Sequence, residues 1–82
     1  MTRAEIQSAL LRSLARVAPE TDPTAIRPDV ALRDQVDIDS MDFLNFVIEL
    51  HSEVGIEVPE ADYPKLATLD AAVDYVARRL AA

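Results

Sequence analysis

The sequence predicts an all-α domain, a four-helix bundle with three main helices, one short helix and a long first loop. Three observations carry that reading. Apolar residues recur at helical spacing in three separate stretches. Glycine occurs once in 82 residues, too seldom for the turns of a hairpin-rich β fold. A proline-bearing stretch without periodicity separates the first helix from the second. The length suits one domain, residues 1–82, with half the residues apolar to build its core.

The first helix starts at Thr2-Arg3-Ala4-Glu5, whose S/T-x-x-E form is that of a capping box. Ile6, Leu10, Leu14 and Val17 repeat along one face, with Leu11 beside them, and Arg3, Gln7, Arg12 and Arg16 lie toward the other. The helix ends before Pro19. From Pro19 to Asp39 the periodicity is lost, and Pro19, Pro23 and Pro28 mark an extended connection with a short turn at Val30 to Asp34. Loops of that length are functional or pinned down, and Ile26, Val30, Leu32, Val36 and Ile38 are spaced to pin this one.

Ser40 suits the N-cap of the second helix, with Asp42 in its first turn. Phe43, Leu44, Phe46, Val47, Ile48, Leu50 and Val54 give this helix a wide apolar surface, so it is expected to be packed on most sides. Gly55 fits the left-handed position beyond its last turn. Glu60 to Tyr63 reads as a turn or very short helix that Pro64 limits. Thr68 caps the last helix, which buries Leu69, Ala72, Val73, Val76 and Leu80, with Tyr75 at the edge.

The net charge of −7 is unevenly placed. From Asp34 to Pro64 there are nine acids and no Lys or Arg, while the remainder holds six acids and all eight basic residues. The resulting negative field repels nucleic acid and anionic lipid, and favours a partner with a basic patch. No run is long enough to span a bilayer, and Met1 to Glu5 carry no signal-peptide apolar region, so a cytoplasmic chain is expected.

The sequence offers little to catalysis. The lone His51 lies three turns along the helix from Ser40, too far to serve it as a base. With no Cys there is neither a thiol nucleophile nor a thiolate zinc site. Asp37-Ile38-Asp39-Ser40-Met41 starts like a calcium loop, but Met41 stands at a ligand position and the central Gly is missing. No enzyme and no metal centre are expected. What remains is Ser40, a hydroxyl at a helix start that is either a plain N-cap or, because backbone amides and the positive helix end favour an anion there, the bearer of a phosphoester.

Asp39-Ser40-Met41-Asp42 resembles the Asp-Ser-Leu-Asp motif of acyl carrier proteins, in which the serine receives a 4′-phosphopantetheine arm. Leu32-Arg33-Asp34-Gln35-Val36 is similar to that family's approach to the motif. Glu49-Leu50 and Gly55-Ile56-Glu57-Val58-Pro59 resemble the end of its second helix and the turn beyond. Ala67-Thr68-Leu69 and Ala72-Val73-Asp74-Tyr75-Val76 resemble its last helix, at compatible spacing.

The resemblance implies an acyl-carrier-like bundle and a carrier role. It implies that a phosphopantetheinyl transferase moves the arm from coenzyme A to Ser40. Its thiol then carries acyl groups as thioesters between enzymes of a fatty-acid, polyketide or related lipid pathway. Acyl-loading and acyl-processing enzymes with basic docking surfaces are the other expected partners, met by Asp39, Met41, Asp42, Phe43, Glu49 and Glu53. Leu44, Val47, Ile48, Ile56, Tyr63 and Leu66 are the expected shelter for an acyl chain. A monomer is expected, without nucleic-acid binding or membrane insertion.

The chain also departs from the family pattern. Asp37 stands where Gly is frequent, Asn45, His51 and Ser52 stand where Glu is usual, Phe43 adds an aromatic, and Tyr63-Pro64 disturbs the short helix. These departures suggest a specialised stand-alone carrier. The alternatives are an unmodified acidic interaction module and an aminoacyl or peptidyl carrier.

Overall fold

A computed structural model describes residues 1–81. The helices are α1 (Arg3–Val17), α2 (Leu32–Gln35), α3 (Ser40–Val54) and α4 (Leu69–Ala81). A 3₁₀ turn, Pro23–Ala25, interrupts the first loop, and a 3₁₀ helix, Glu60–Leu66, links α3 to α4. The three main helices expected are α1, α3 and α4, the 3₁₀ helix is the short one, and α2 is a single helical turn within the long first loop. Among the described residues, no helix is long and apolar enough to cross a membrane.

Local chemistry sets the helix ends. The Thr2 hydroxyl accepts from the Glu5 amide at 3.1 Å, and the Glu5 carboxylate accepts from the Thr2 amide at 2.8 Å, closing the capping box. The Thr2 amide, more than its hydroxyl, holds the Glu5 carboxyl below its ordinary value. At the far end of α3, Gly55 takes φ 75° and its amide donates to the His51 carbonyl at 2.8 Å. The His51 ring adds a second closure, Nδ1 donating to the Ile56 carbonyl at 2.8 Å. Thr68 caps α4 as expected, its hydroxyl accepting from the Ala71 amide at 3.0 Å.

The core lies where α1, α3 and α4 meet. Ile6, Leu10 and Leu14 from α1, Phe46 and Leu50 from α3, and Leu69, Val73 and Val76 from α4 are buried in one cluster. Removing a buried ring such as Phe46 costs about 3–5 kcal/mol. Ser13 is buried among these side chains, and its hydroxyl donates to the Ala9 carbonyl one turn back at 2.9 Å.

The long first loop is pinned at both backbone and side-chain level. Leu32, Val36 and Ile38 enter the core, and Ile26 packs against it. The Leu32 amide donates to the Ala67 carbonyl at 2.8 Å, the Asp70 amide donates to the Pro28 carbonyl at 3.1 Å, and Ala31 bridges to Thr68. Gln35 fastens the loop to itself. Its oxygen accepts from the Arg27 amide at 2.8 Å, and its nitrogen donates to the carbonyls of Arg27 at 2.8 Å and Val30 at 3.0 Å.

Four expectations need correction. The short helix does not stop at Tyr63 but runs through Pro64 to Leu66. Pro64 has no N–H to give, yet its carbonyl still accepts from Ala67 at 3.3 Å, and the fully buried Leu66 anchors the end. Leu80 is 38% exposed, because the buried stripe of α4 ends at Val76, while Tyr75 is buried rather than at the edge. Nor is α3 covered on most sides. Met41, Leu44 and Ile48 remain exposed along one flank of it.

Candidate functional site

Ser40 is exposed and is the first residue of α3, not its cap. Asp39 takes that position. Its Oδ1 accepts from the Asp42 amide at 2.8 Å, and the Asp42 carboxylate accepts from the Asp39 amide at 3.2 Å. The result is a capping box built from two aspartates, and the Ser40 hydroxyl takes no part in it. The signal lay in the spacing, since Asp39 and Asp42 stand three apart just as Thr2 and Glu5 do. The acids beside Ser40 therefore fix the helix start as well as carrying charge.

An open cleft of about 550 Å³ begins at Ser40. Phe43, Leu44, Tyr63 and Pro64 give it apolar walls, and Arg33 and Glu60 also line it. The Phe43 ring meets Tyr63 edge-on at 5.8 Å and leans on Phe46 at 5.7 Å. Phe43, expected on the docking surface, is thus half-buried in the cleft wall. Of the residues expected to shelter an acyl chain, Leu44 and Tyr63 line this cleft. Val47, Ile56 and Leu66 are buried in the core. Ile48 is 55% exposed, because its position on α3 shares the outward flank with Leu44.

The wall opposite α3 is the 3₁₀ helix, which is tied down from α4. The Tyr75 hydroxyl donates to Asp62 Oδ2 at 2.7 Å, Arg79 donates to the Tyr75 oxygen at 2.7 Å, and Lys65 pairs with Asp62 at 3.3 Å. The Tyr75 bond is the main reason that the Asp62 carboxyl lies below its ordinary value. Burial, and then Asp62 itself, push the Tyr75 phenol up.

The acidic face is not as bare as the central segment suggested. Glu49 pairs with Arg16 at 3.0 Å, and Glu53 pairs with Arg16 at 2.9 Å and Arg12 at 3.1 Å. Arg12, first among its partners, holds the Glu53 carboxyl below its ordinary value. These two acids, expected to meet a partner, are ion-paired with arginines of α1. The missing cations come from residues far away in the sequence.

What α3 offers outward is apolar. Met41, Leu44 and Ile48 are 64%, 37% and 55% exposed, at positions i, i+3 and i+7 starting one residue after Ser40. The sequence carried that spacing, but it reads equally as a core face. Among the described residues, no group of three or more His, Cys, Asp or Glu side chains is placed to hold a metal ion.

Comparison with known proteins agrees with this geometry. Residues 8–76 match the family described as a phosphopantetheine attachment site. An acyl carrier protein of Rubrobacter xylanophilus is 33% identical over 55 residues, which are 67% of this chain and 68% of that protein. One of Chlorobium phaeovibrioides is 28% identical over 80 residues, 96% of this chain and all of that one. Among solved structures, the acyl carrier protein of Enterococcus faecalis superposes with a TM-score of 0.77 at 28% identity, covering 95% of this chain and 98% of that one. The prosthetic group of such proteins is a covalently attached 4′-phosphopantetheine. With its motif, its helix order and these relatives in agreement, the chain belongs to the acyl carrier proteins of the phosphopantetheine attachment family.

Proposed function

We propose that Ser40 bears the 4′-phosphopantetheine arm, and that the chain carries acyl groups on it as thioesters among the enzymes of a fatty-acid, polyketide or related lipid pathway. The observation that supports this most directly is the state of the Ser40 hydroxyl: exposed, outside the capping box, and on the rim of an apolar-walled cleft. The residues present fit the group. A phosphodiester at Ser40 meets no covering side chain, and Phe43, Leu44 and Tyr63 offer an apolar surface beside it. The arm supplies the thiol that the chain lacks. Asp39 and Asp42 keep the start of α3 rigid, so that an incoming transferase meets a fixed hydroxyl.

In this reading the chain is a carrier and not an enzyme. Partners dock on Met41, Leu44 and Ile48, with Asp39 and Asp42 at the Ser40 end to steer a basic surface. Glu49 and Glu53 contribute less, because Arg12 and Arg16 already offset them.

Intact mass after incubation with coenzyme A and a broad-specificity transferase tests the assignment, followed by mapping of the modified peptide. A single addition on the peptide that contains Ser40 is expected. Mapping is needed because Ser8 and Ser52 are also exposed. No gain in mass, or a gain at another serine, overturns the assignment. In the first case the unmodified interaction module becomes the better reading.

A further inference from the structure

We propose that Arg33 receives the phosphodiester of the arm on Ser40 and directs the arm along the cleft, an inference that rests on Ser40 being the attachment residue. Arg33 is the one basic residue that lines the cleft on whose rim Ser40 stands. Most other cations have work within the fold. Arg3, Arg12, Arg16 and Lys65 pair with carboxylates, and Arg79 donates to Tyr75. Among the described residues Arg33 pairs with no carboxylate, although Asp34 follows it and the acid-rich segment begins there.

The backbone that carries Arg33, the single turn of α2, is fastened on both sides. Leu32 before it is buried and bonded to Ala67, and Gln35 after it is bonded to Arg27 and Val30. A side chain presented from a fixed turn loses less freedom when it binds.

The charge of the arm makes the residue type matter. A phosphodiester keeps a full negative charge throughout the working pH range, and on Ser40 it would stand between the carboxylates of Asp39 and Asp42. Glu60 lines the same cleft and repels it as well. A guanidinium is the group suited to take two phosphate oxygens in a planar fork, which a lysine ammonium cannot do. With the phosphate held at Arg33, the rest of the arm starts out along Phe43, Leu44 and Tyr63 instead of into solvent.

The test uses the full chain, loaded from coenzyme A and checked by intact mass, as wild type, Arg33→Gln and Arg33→Lys. Two signals are read at low and high salt: the phosphorus resonance of the phosphodiester, and the Arg33 Nε–Hε proton–nitrogen peak. The Arg33 peak should move when the apo chain becomes holo and move back as salt is raised. The phosphorus resonance of Arg33→Gln should shift toward that of the same holo chain unfolded in urea, with Arg33→Lys between it and wild type. If loading at Ser40 is complete, yet the Arg33 peak stays in place and the phosphorus resonance is the same in all three chains, the proposal falls and the attachment assignment stands. If wild type gains no mass, both fall. Should Arg33→Gln fail to fold, the apo-to-holo movement of the wild-type peak decides alone.

Discussion

The Tyr75 hydroxyl donates to the Asp62 carboxylate across 2.7 Å, joining α4 to the 3₁₀ helix that walls the cleft. This bond between a neutral donor and a charged acceptor is partly shielded from water. Tyr75→Phe should therefore destabilise the fold by about 1.5–3 kcal/mol. The loss should be local as well as global. In hydrogen exchange, amides in Glu60–Leu66 should open faster than those of α1. Equal acceleration in both would show that the bond does not hold the wall in particular.

Ser40 and Asp39 should separate cleanly in mutation, because only Asp39 caps α3. Ser40→Ala should abolish loading and leave the urea midpoint unchanged. Asp39→Ala should lower stability by about 1 kcal/mol, the usual worth of an N-cap. A marked loss of stability in Ser40→Ala would contradict the geometry of the cap.

The depressed carboxyls give the fold an acid limit. Glu53 and Asp62 sit below their ordinary values of 4.5 and 3.8, through Arg12 in the first case and Tyr75 in the second. On acidification the unfolded chain takes up these protons before the folded chain does, so stability rises with pH in this window. The contribution is fully present above the unfolded values and is lost as pH falls through the lower, folded ones. Urea midpoints measured down the acid series should drop there, and Arg12→Gln should flatten part of the drop. An unchanged slope in Arg12→Gln would detach Glu53 from the effect.

Partner recognition should depend on α3 in an uneven way. Ile48→Glu places a charge in the exposed apolar flank and should slow loading by the transferase at any salt concentration. Asp42→Asn keeps an oxygen that can accept from the Asp39 amide and removes only the charge, so it should slow loading mainly at low ionic strength. Glu49→Gln should change the rate least and act instead on stability, through the lost pair with Arg16. A larger rate effect at Glu49 than at Ile48 would return docking to the acidic face.

The main helices were legible because their signals are local. Thr2 with Glu5, Thr68 at the start of α4 and Gly55 after α3 each act within a turn of chain, and the apolar repeats of α1 and α4 are regular. The motif around Ser40 was legible too, whereas the cap was ambiguous by residue type, since Asp39 and Ser40 are both acceptable N-cap residues and only the spacing of Asp39 from Asp42 separates them. Long-range partners stayed hidden. Arg12 reaches Glu53 across 41 positions and Arg16 reaches Glu49 across 33, so a charge count along the chain could not see them. The outward flank of α3 stayed hidden for a related reason. Met41, Leu44 and Ile48 have core-like chemistry, and only the lack of a neighbour on that side distinguishes them.

The hydrogen bond from Leu32 to Ala67 ties the segment that leads to Ser40 to backbone that is made later. The approach to Ser40 is closed by backbone that lies more than two dozen positions later, together with the bond from Asp70 to Pro28. A growing polypeptide that has reached only Leu66 has the motif but not the strap that shapes its approach. Competence for loading should then switch on late in synthesis, after α4 has emerged and docked, so that arms are not spent on unfinished chains. Loading of fragments ending before Ala67, compared with the full chain, reads that timing directly, and equal loading would show that α3 alone is enough for the transferase.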